Sequence, residues 1–277
     1  MKELEFLEKI NEIDPALLEE QSPARGKSLR KVLRVAAVAA VLALVLAGTV
    51  YAISRSGRVE LNRIATADEA GFEAKVELPL VPWDSFQGEI REAGERIVQQ
   101  YENYVPQPAW SSYYEDPGQF TRQFDSLDKA VAYVGLPDLK TPTFPFDTYD
   151  CTVTACGDET GKVREVRISA RHIERNDIGA QETVTLLTDA APRSEYVSGG
   201  VWTYEFPRDV EFQHYTTSGG NDCAIAALRP EYDSSHMGLT GYVTVGSALY
   251  ELNLGAVPRE KYDVAMQILH DWAEALD

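Results

Sequence analysis

Residues Asp147–His172 read DTYDCTVTACGDETGKVREVRISARH. Two alternating runs flank Gly157-Asp158-Glu159-Thr160-Gly161, a cluster of turn formers. That arrangement predicts an antiparallel hairpin with strands over 147–156 and 162–173. Towards the C-terminus the alternation continues and predicts strands over 181–188, 200–206, 209–217, 222–229, 239–246 and 248–254. Ser218-Gly219-Gly220-Asn221 is a second hairpin signal. No helical period interrupts these runs, so the expected sheet is antiparallel, with about six to eight strands. A helix over 258–275 should close the chain, with Pro258 in its first turn and Tyr262, Met266, Leu269, Trp272 and Ala273 on its apolar face.

Towards the N-terminus the pattern turns helical. A strand is expected at Phe72–Leu78, then a helix capped by Asp84 or Ser85 and running to about Tyr104. Phe86, Ile90, Ala93, Ile97 and Tyr101 form its buried stripe. Residues 106–118 read as a loop. A second short helix is capped by Asp125 or Ser126 and stopped at Gly135. Helices, then a run of strands, then a helix predict an α+β body with two N-terminal helices and one C-terminal helix packed on the sheet.

Ahead of the body lies Val35–Ile53, VAAVAAVLALVLAGTVYAI, 19 residues without a charge. As a helix it would extend roughly 28 Å, close to the hydrocarbon thickness of a bilayer. Arg25, Lys27, Arg30, Lys31 and Arg34 precede it, and only Arg55, Arg58 and Arg63 follow closely. The positive-inside rule then places the N-terminus in the cytoplasm and the body outside the cell membrane. A signal peptide cut after Val50-Tyr51-Ala52 is the alternative, against which stands the long tail ahead of the span. Ala39, Ala43 and Ala47 form a small-residue stripe that would let two spans pack as a homodimer. The expected division is a cytoplasmic tail 1–34, a transmembrane helix 35–53, a stalk 54–71 and an extracytoplasmic domain 72–277.

In the tail, Leu4, Leu7, Ile10 and Ile13 recur every third residue, which predicts an amphipathic helix over about 2–12. Asp14-Pro15 then opens a second short helix. Residues 1–20 carry seven acids against two lysines, the wrong sign for an anionic membrane surface, so the stripe is expected to dock a cytoplasmic protein.

The charge of −18 is unevenly spread. Residues 1–58 hold nine Lys/Arg against seven Asp/Glu, and residues 59–277 hold 17 against 37. An acidic body argues against nucleic acid and anionic lipid as ligands and leaves cations, basic peptides, neutral glycans or a protein. Trp110, Tyr113 and Tyr114, beside Glu115 and Asp116, are candidates for stacking on a sugar or caging a cation.

Catalytic signatures are scarce. Gly157 to Lys162 is one residue too short for a phosphate loop and has Val163 where Ser or Thr should hold magnesium. His172, His214, His236 and His270 make no zinc motif, and there is no nucleophile elbow. No catalytic, cofactor or metal residues are assigned. Cys151, Cys156 and Cys223 are an odd, low count. Cys151 and Cys156, five apart on one strand, face opposite ways and should not pair. Cys223 is left to pair with one of them, or all three are buried thiols.

The tail Met1–Glu20 with its Ile13-Asp14-Pro15-Ala16-Leu17 element, the basic cluster and the Ala/Leu/Val span together resemble a group of Firmicutes (clostridial) envelope proteins. FDSLDKAVAYVGLP at Phe124–Pro137 resembles a helix of their outer domains, and Val245-Gly246-Ser247, Tyr250 and the acidic C-terminal helix resemble their ending. Some members are described as anti-sigma factors or sigma-factor regulators. The resemblance implies an extracytoplasmic α+β domain that binds an unknown ligand and a tail that binds a sigma factor. A cell-surface binding module without signalling is the alternative, and an exported hydrolase the second.

Overall fold

The computed structural model describes residues 57–65, 70–105, 116–147, 150–172, 179–191, 201–202, 209–229 and 236–277, all within one unit, Ser54–Asp277. The tail stripe Leu4, Leu7, Ile10 and Ile13, the span Val35–Ile53 and the aromatic trio Trp110, Tyr113 and Tyr114 lie outside the described residues. Among the described residues no helix is long and apolar enough to cross a membrane.

The hairpin expected at 147–173 is present as β4 (Asp150–Gly157) and β5 (Val163–His172). The Asp158 carboxylate closes its turn. Oδ1 accepts the Thr160 backbone N–H at 2.9 Å and the Thr160 hydroxyl at 2.6 Å. Gly161 follows at φ 77°, a left-handed position that favours glycine. The supposed phosphate-loop echo is therefore a hairpin turn.

The other strands are β1 (Arg58–Ala65), β2 (Ala70–Glu77), β3 (Gln119–Phe124), β6 (Gly179–Leu187), β7 (Val201–Trp202), β8 (Asp209–Thr216), β9 (Asp222–Arg229), β10 (His236–Val245) and β11 (Ala248–Pro258). Eight of the strands form one antiparallel sheet, ordered β3-β4-β5-β6-β11-β10-β9-β8. It consists of two four-stranded meanders, joined where β6 pairs with β11. A second sheet, β1-β2-β7, takes Val201 and Trp202, the described residues of the run expected at 200–206. Arg58–Ala65, inside the expected stalk, is strand β1, so the body starts earlier than Phe72.

Among the described residues three α-helices complete the α+β fold: α1 (Ala93–Asn103), α2 (Leu127–Val134) and α3 (Tyr262–Ala275). α2 follows its sequence signals. The Ser126 hydroxyl accepts the Lys129 backbone N–H, and Gly135 caps the end at φ 63°. The other two start later than expected. Trp83–Ser85 and Glu89–Glu92 are 3₁₀ turns ahead of α1, so neither Asp84 nor Ser85 caps it. Pro258 does not open α3. Its backbone is extended, at φ −59° and ψ 143°, and it pairs with His236 at the end of the β10–β11 ladder.

Alternation along the strands makes two cores. On one face Val153, Val166, Ile168, Val184, Leu186, Leu239, Val243, Tyr250 and Leu252 pack under the helices. The α1 stripe (Ile90, Ala93, Ile97) and the α3 stripe (Met266, Leu269, Trp272, Ala273) close over them. On the other face Ala224, Ala226, Leu228, Tyr242 and Leu249 meet Val59, Leu61, Ala74 and Val76 of the small sheet. Thr244 Oγ1 donates to Gly57 O at 2.9 Å, and Val59 N donates to Asp222 Oδ2 at 2.9 Å, fastening β1 across β9 and β10.

Candidate functional site

The small sheet packs on the β8–β10 half of the large sheet's second face. On β3–β6 and β11 the same face is polar. Ladder register puts Thr121, Thr154, Arg167 and Thr185 in one row across the strands. The next row is Gln123, Thr152, Ser169, Thr183 and Glu251. A third is Asp150, Arg171, Gln181, Asn253 and Thr240. Cys156 and Glu165 lie beyond the first row. Hydroxyls and amides here bond one another: Thr121 and Thr154 at 3.0 Å, Gln123 to Asp150 at 3.2 Å, and Thr240 to Asn253 at 2.6 Å.

Charge on this face is partly matched. Arg167 Nε lies 2.6 Å from Glu165 Oε1, and its Nη2 donates to Cys156 Sγ at 3.5 Å. Glu251 has no hydrogen-bond or ion-pair partner among the described residues, although it is only 8% exposed. Burial pushes its carboxyl up to about 7, and Glu165 adds to the rise while Arg167 opposes it. Its cross-strand neighbours are Thr183 and Tyr242, so it marks the boundary between the polar half of the face and the apolar half.

Glu182, next to Thr183 on β6, points to the opposite face, into the core beneath α3. Its Oε1 accepts from Trp272 Nε1 at 2.7 Å, and Oε2 has no partner among the described residues. At 1% exposure its carboxyl is raised to about 7 by desolvation, which the Trp272 bond only partly offsets.

The three thiols are free and buried. Cys151 lies on the helix side of β4 and Cys156 on the polar side, as the odd spacing requires. Burial raises Cys151 and Cys223 to about 11 and also raises Cys156, with Arg167 opposing. Protonated thiols of this kind are poor nucleophiles. His172 stacks on Phe146 and bonds the Asp147 carbonyl through Nδ1 at 2.8 Å. Among the described residues no group of three His, Cys, Asp or Glu is placed to hold a metal ion.

A cleft of about 680 Å³ opens at one end of the large sheet. Pro79, Pro82, Leu136, Pro137 and the Val245-Gly246-Ser247 turn line it. Prolines and aliphatic side chains dominate its wall, so it offers less directional chemistry than the polar face.

Sequence reading missed Glu251, Arg167, Glu165 and Glu182. The available signal was an acid inside an apolar strand, as in Tyr250-Glu251-Leu252 and Glu182-Thr183-Val184. Strand interiors seldom keep an acid without a reason. No family model, curated protein or solved structure matches the chain.

Proposed function

We propose that this chain is a single-pass membrane protein with a cytoplasmic N-terminus. Its acidic α+β body lies outside the membrane and binds a ligand, and its tail reports that state to a cytoplasmic partner. Val35–Ile53 carries the reading: an uncharged run of bilayer length with five basic residues on its N-terminal flank. The body supports it by satisfying its own apolar surface. Among the described residues only Val105 and Val264 are large, apolar and exposed. The ligand surface is the polar face of β3–β6 and β11. Leu4, Leu7, Ile10 and Ile13 are the docking stripe for the partner. The resemblance to clostridial envelope proteins makes a sigma factor the partner to test first.

Two measurements test the reading. A reporter fused after Asp277 should be active only outside the cytoplasm, and one fused before Met1 only inside. Residues 1–34 should then capture a cytoplasmic protein that Leu7→Asp releases. A mature chain starting near Ile53 in the culture medium would overturn the reading. The polar face also suits a surface binding module with no signalling role. In that case deleting residues 1–34, with the span kept, changes nothing inside the cell.

A further inference from the structure

The polar face holds a buried carboxylate that no described residue hydrogen-bonds, with the Arg167 charge only partly offsetting its burial, and that shortfall defines a ligand. Glu165 and Arg167 lie 2.6 Å apart, and of the two Arg167 acts the more strongly on Glu251, though less than burial does. Arg171 is exposed, and it opposes Asp150 directly across the β4–β5 ladder. Glu251 remains, more than nine-tenths buried, with no partner among the described residues. Around it the strands present short hydrogen-bonding side chains. Thr183 is its direct cross-strand neighbour and Ser169 the next in the row, while Thr185, Gln181 and Asn253 lie one position along. Their side-chain oxygens can accept hydrogen bonds from a ligand, and the sheet backbone fixes where they sit. Neutral hydroxyls and amides can bond a buried carboxylate but bring no charge, and Arg167 is already paired with Glu165, so Glu251 has room for a further cation.

We propose that this face is a binding site for a single primary ammonium group, with Glu251 as its counter-ion and Thr183, Ser169 and Asn253 as hydrogen-bond acceptors around it. The proposal builds on the reading of this face as the ligand surface and names the chemistry it takes. Three N–H donors of an ammonium suit one carboxylate oxygen plus two hydroxyls or amides. The body's balance of 17 basic against 37 acidic residues over 59–277 would draw cations towards it. The ammonium group is common to a lysine side chain of a peptide and to a polyamine, and the test separates these sources.

Binding should track ionisation of Glu251. The charges that bear on it are Arg167 and Glu165 from β5; Arg171 from β5, Asp150 and Cys156 from β4 and its ladder partner Tyr242 from β10 lie on the same face, where β6 presents the neutral Thr183, Thr185 and Gln181. A carboxyl titrating at about 7 is mostly ionised at about pH 8 and mostly protonated at about pH 5.5, a ~30-fold change in the competent form.

The test uses the full chain in detergent at constant ionic strength, titrated calorimetrically with n-butylammonium and with n-butanol as the neutral counterpart. n-Butylammonium should bind at about pH 8, weaken ~30-fold by about pH 5.5, and weaken at least tenfold in Glu251→Gln, whose circular dichroism matches the parent. n-Butanol should not bind. Arg167→Gln, which leaves Glu165 uncompensated beside the site, should tighten binding several-fold. Spermidine binding more tightly than Gly-Lys-Gly amide assigns the polyamine, and the reverse order assigns the peptide. Binding that ignores both pH and Glu251→Gln overturns the proposal. A neutral disaccharide that competes at Thr183 and Ser169, with no response to n-butylammonium, also overturns it but leaves the face as the ligand surface. If no probe responds to changes on this face, both readings fall.

Discussion

Replacing Glu182 by Gln tests whether a sealed carboxyl governs the pH dependence of this fold. Glu182 is 1% exposed, and its Oε2 has no partner among the described residues. Gln keeps the shape and keeps an oxygen for Trp272 Nε1, now held at 2.7 Å by Glu182. What it removes is the ionisation. The carboxyl is raised from 4.5 to about 7, so the folded state prefers the protonated form. A raised carboxyl contributes its full stability below the unfolded value of 4.5 and loses it as pH climbs through about 7. Integrated from about pH 4 to about pH 8, the loss is ~3 kcal/mol. For a body of this size that is ~6–12 °C in Tm. The assay is thermal or urea unfolding of parent and Glu182→Gln across that range. The stability of the variant minus that of the parent should rise by ~3 kcal/mol from acid to alkaline pH. Any cost of burying the new amide N–H₂ shifts the difference at every pH alike and leaves its slope intact. Parallel curves for the two proteins would refute the reasoning, because Glu182 would then titrate as it does in the unfolded chain.

Three further outcomes follow from single contacts. The thiols, buried and raised to about 11 at Cys151 and Cys223, should resist Ellman's reagent at about pH 8 in the native protein, and all three should react in denaturant. Gly135→Ala should cost more than ~2 kcal/mol in urea unfolding. The position has φ 63°, and a Cβ there would lie 2.1 Å from Gly88 N, backbone that cannot swing aside. Asp277→Ala should loosen the β8–β9 turn, because Asp277 accepts from the Thr217 and Ser218 hydroxyls, Gly219 N and Asn221 Nδ2. The loss should be about 1 kcal/mol, kept small by solvent screening, with faster amide exchange at 217–221. Burial works against ionisation of Asp277, but these bonds more than offset it and hold its carboxyl below the usual value. The effect of the substitution is therefore full at neutral pH and fades as pH falls through the carboxylate range.

The alternation that predicts the sheet is the same physical signal that sorts its two cores, so most of the large sheet was legible. β3 was not. Its sequence QFTRQF places Arg122 where an apolar residue should face inwards. The guanidinium fills that place by lying 4.8 Å from the Tyr133 ring centre and 2.6 Å from Glu89, a tertiary arrangement no strand pattern encodes. β1 was read as stalk because it follows the span so closely, although Val59 and Leu61 alternate inwards. Pro258 carried a helix signal, and strand pairing with His236 outweighed it. The candidate site was illegible for a different reason. Glu251, Arg167 and Glu165 come from two strands that are not neighbours, with β6 between them, and only the register aligns them. An acid inside an apolar strand signals an anomaly, and its environment exists only once the sheet is assembled.

The two anomalous acids meet at the seam between the meanders. Glu182 pairs with Leu252 across β6–β11, and the next pair is Thr183 with Glu251. Strand alternation sends the two carboxyls to opposite faces, with the sheet backbone between them. Each is raised to about 7 chiefly by its own burial. Their surroundings differ. Glu182 is closed in by α3 through Trp272, whereas Glu251 lies on the polar face among Thr183, Ser169 and Asn253. Their effects on stability should therefore add, while their effects on binding should separate. Each Gln variant should remove ~3 kcal/mol of pH dependence between about pH 4 and pH 8, and the double variant ~6 kcal/mol, with a coupling below ~0.5 kcal/mol. Glu182→Gln should leave ammonium binding and its pH profile unchanged, and Glu251→Gln should abolish both. A coupling well above that limit, or ammonium binding lost in Glu182→Gln, would mean that the backbone transmits strain between the faces and that the seam titrates as one unit.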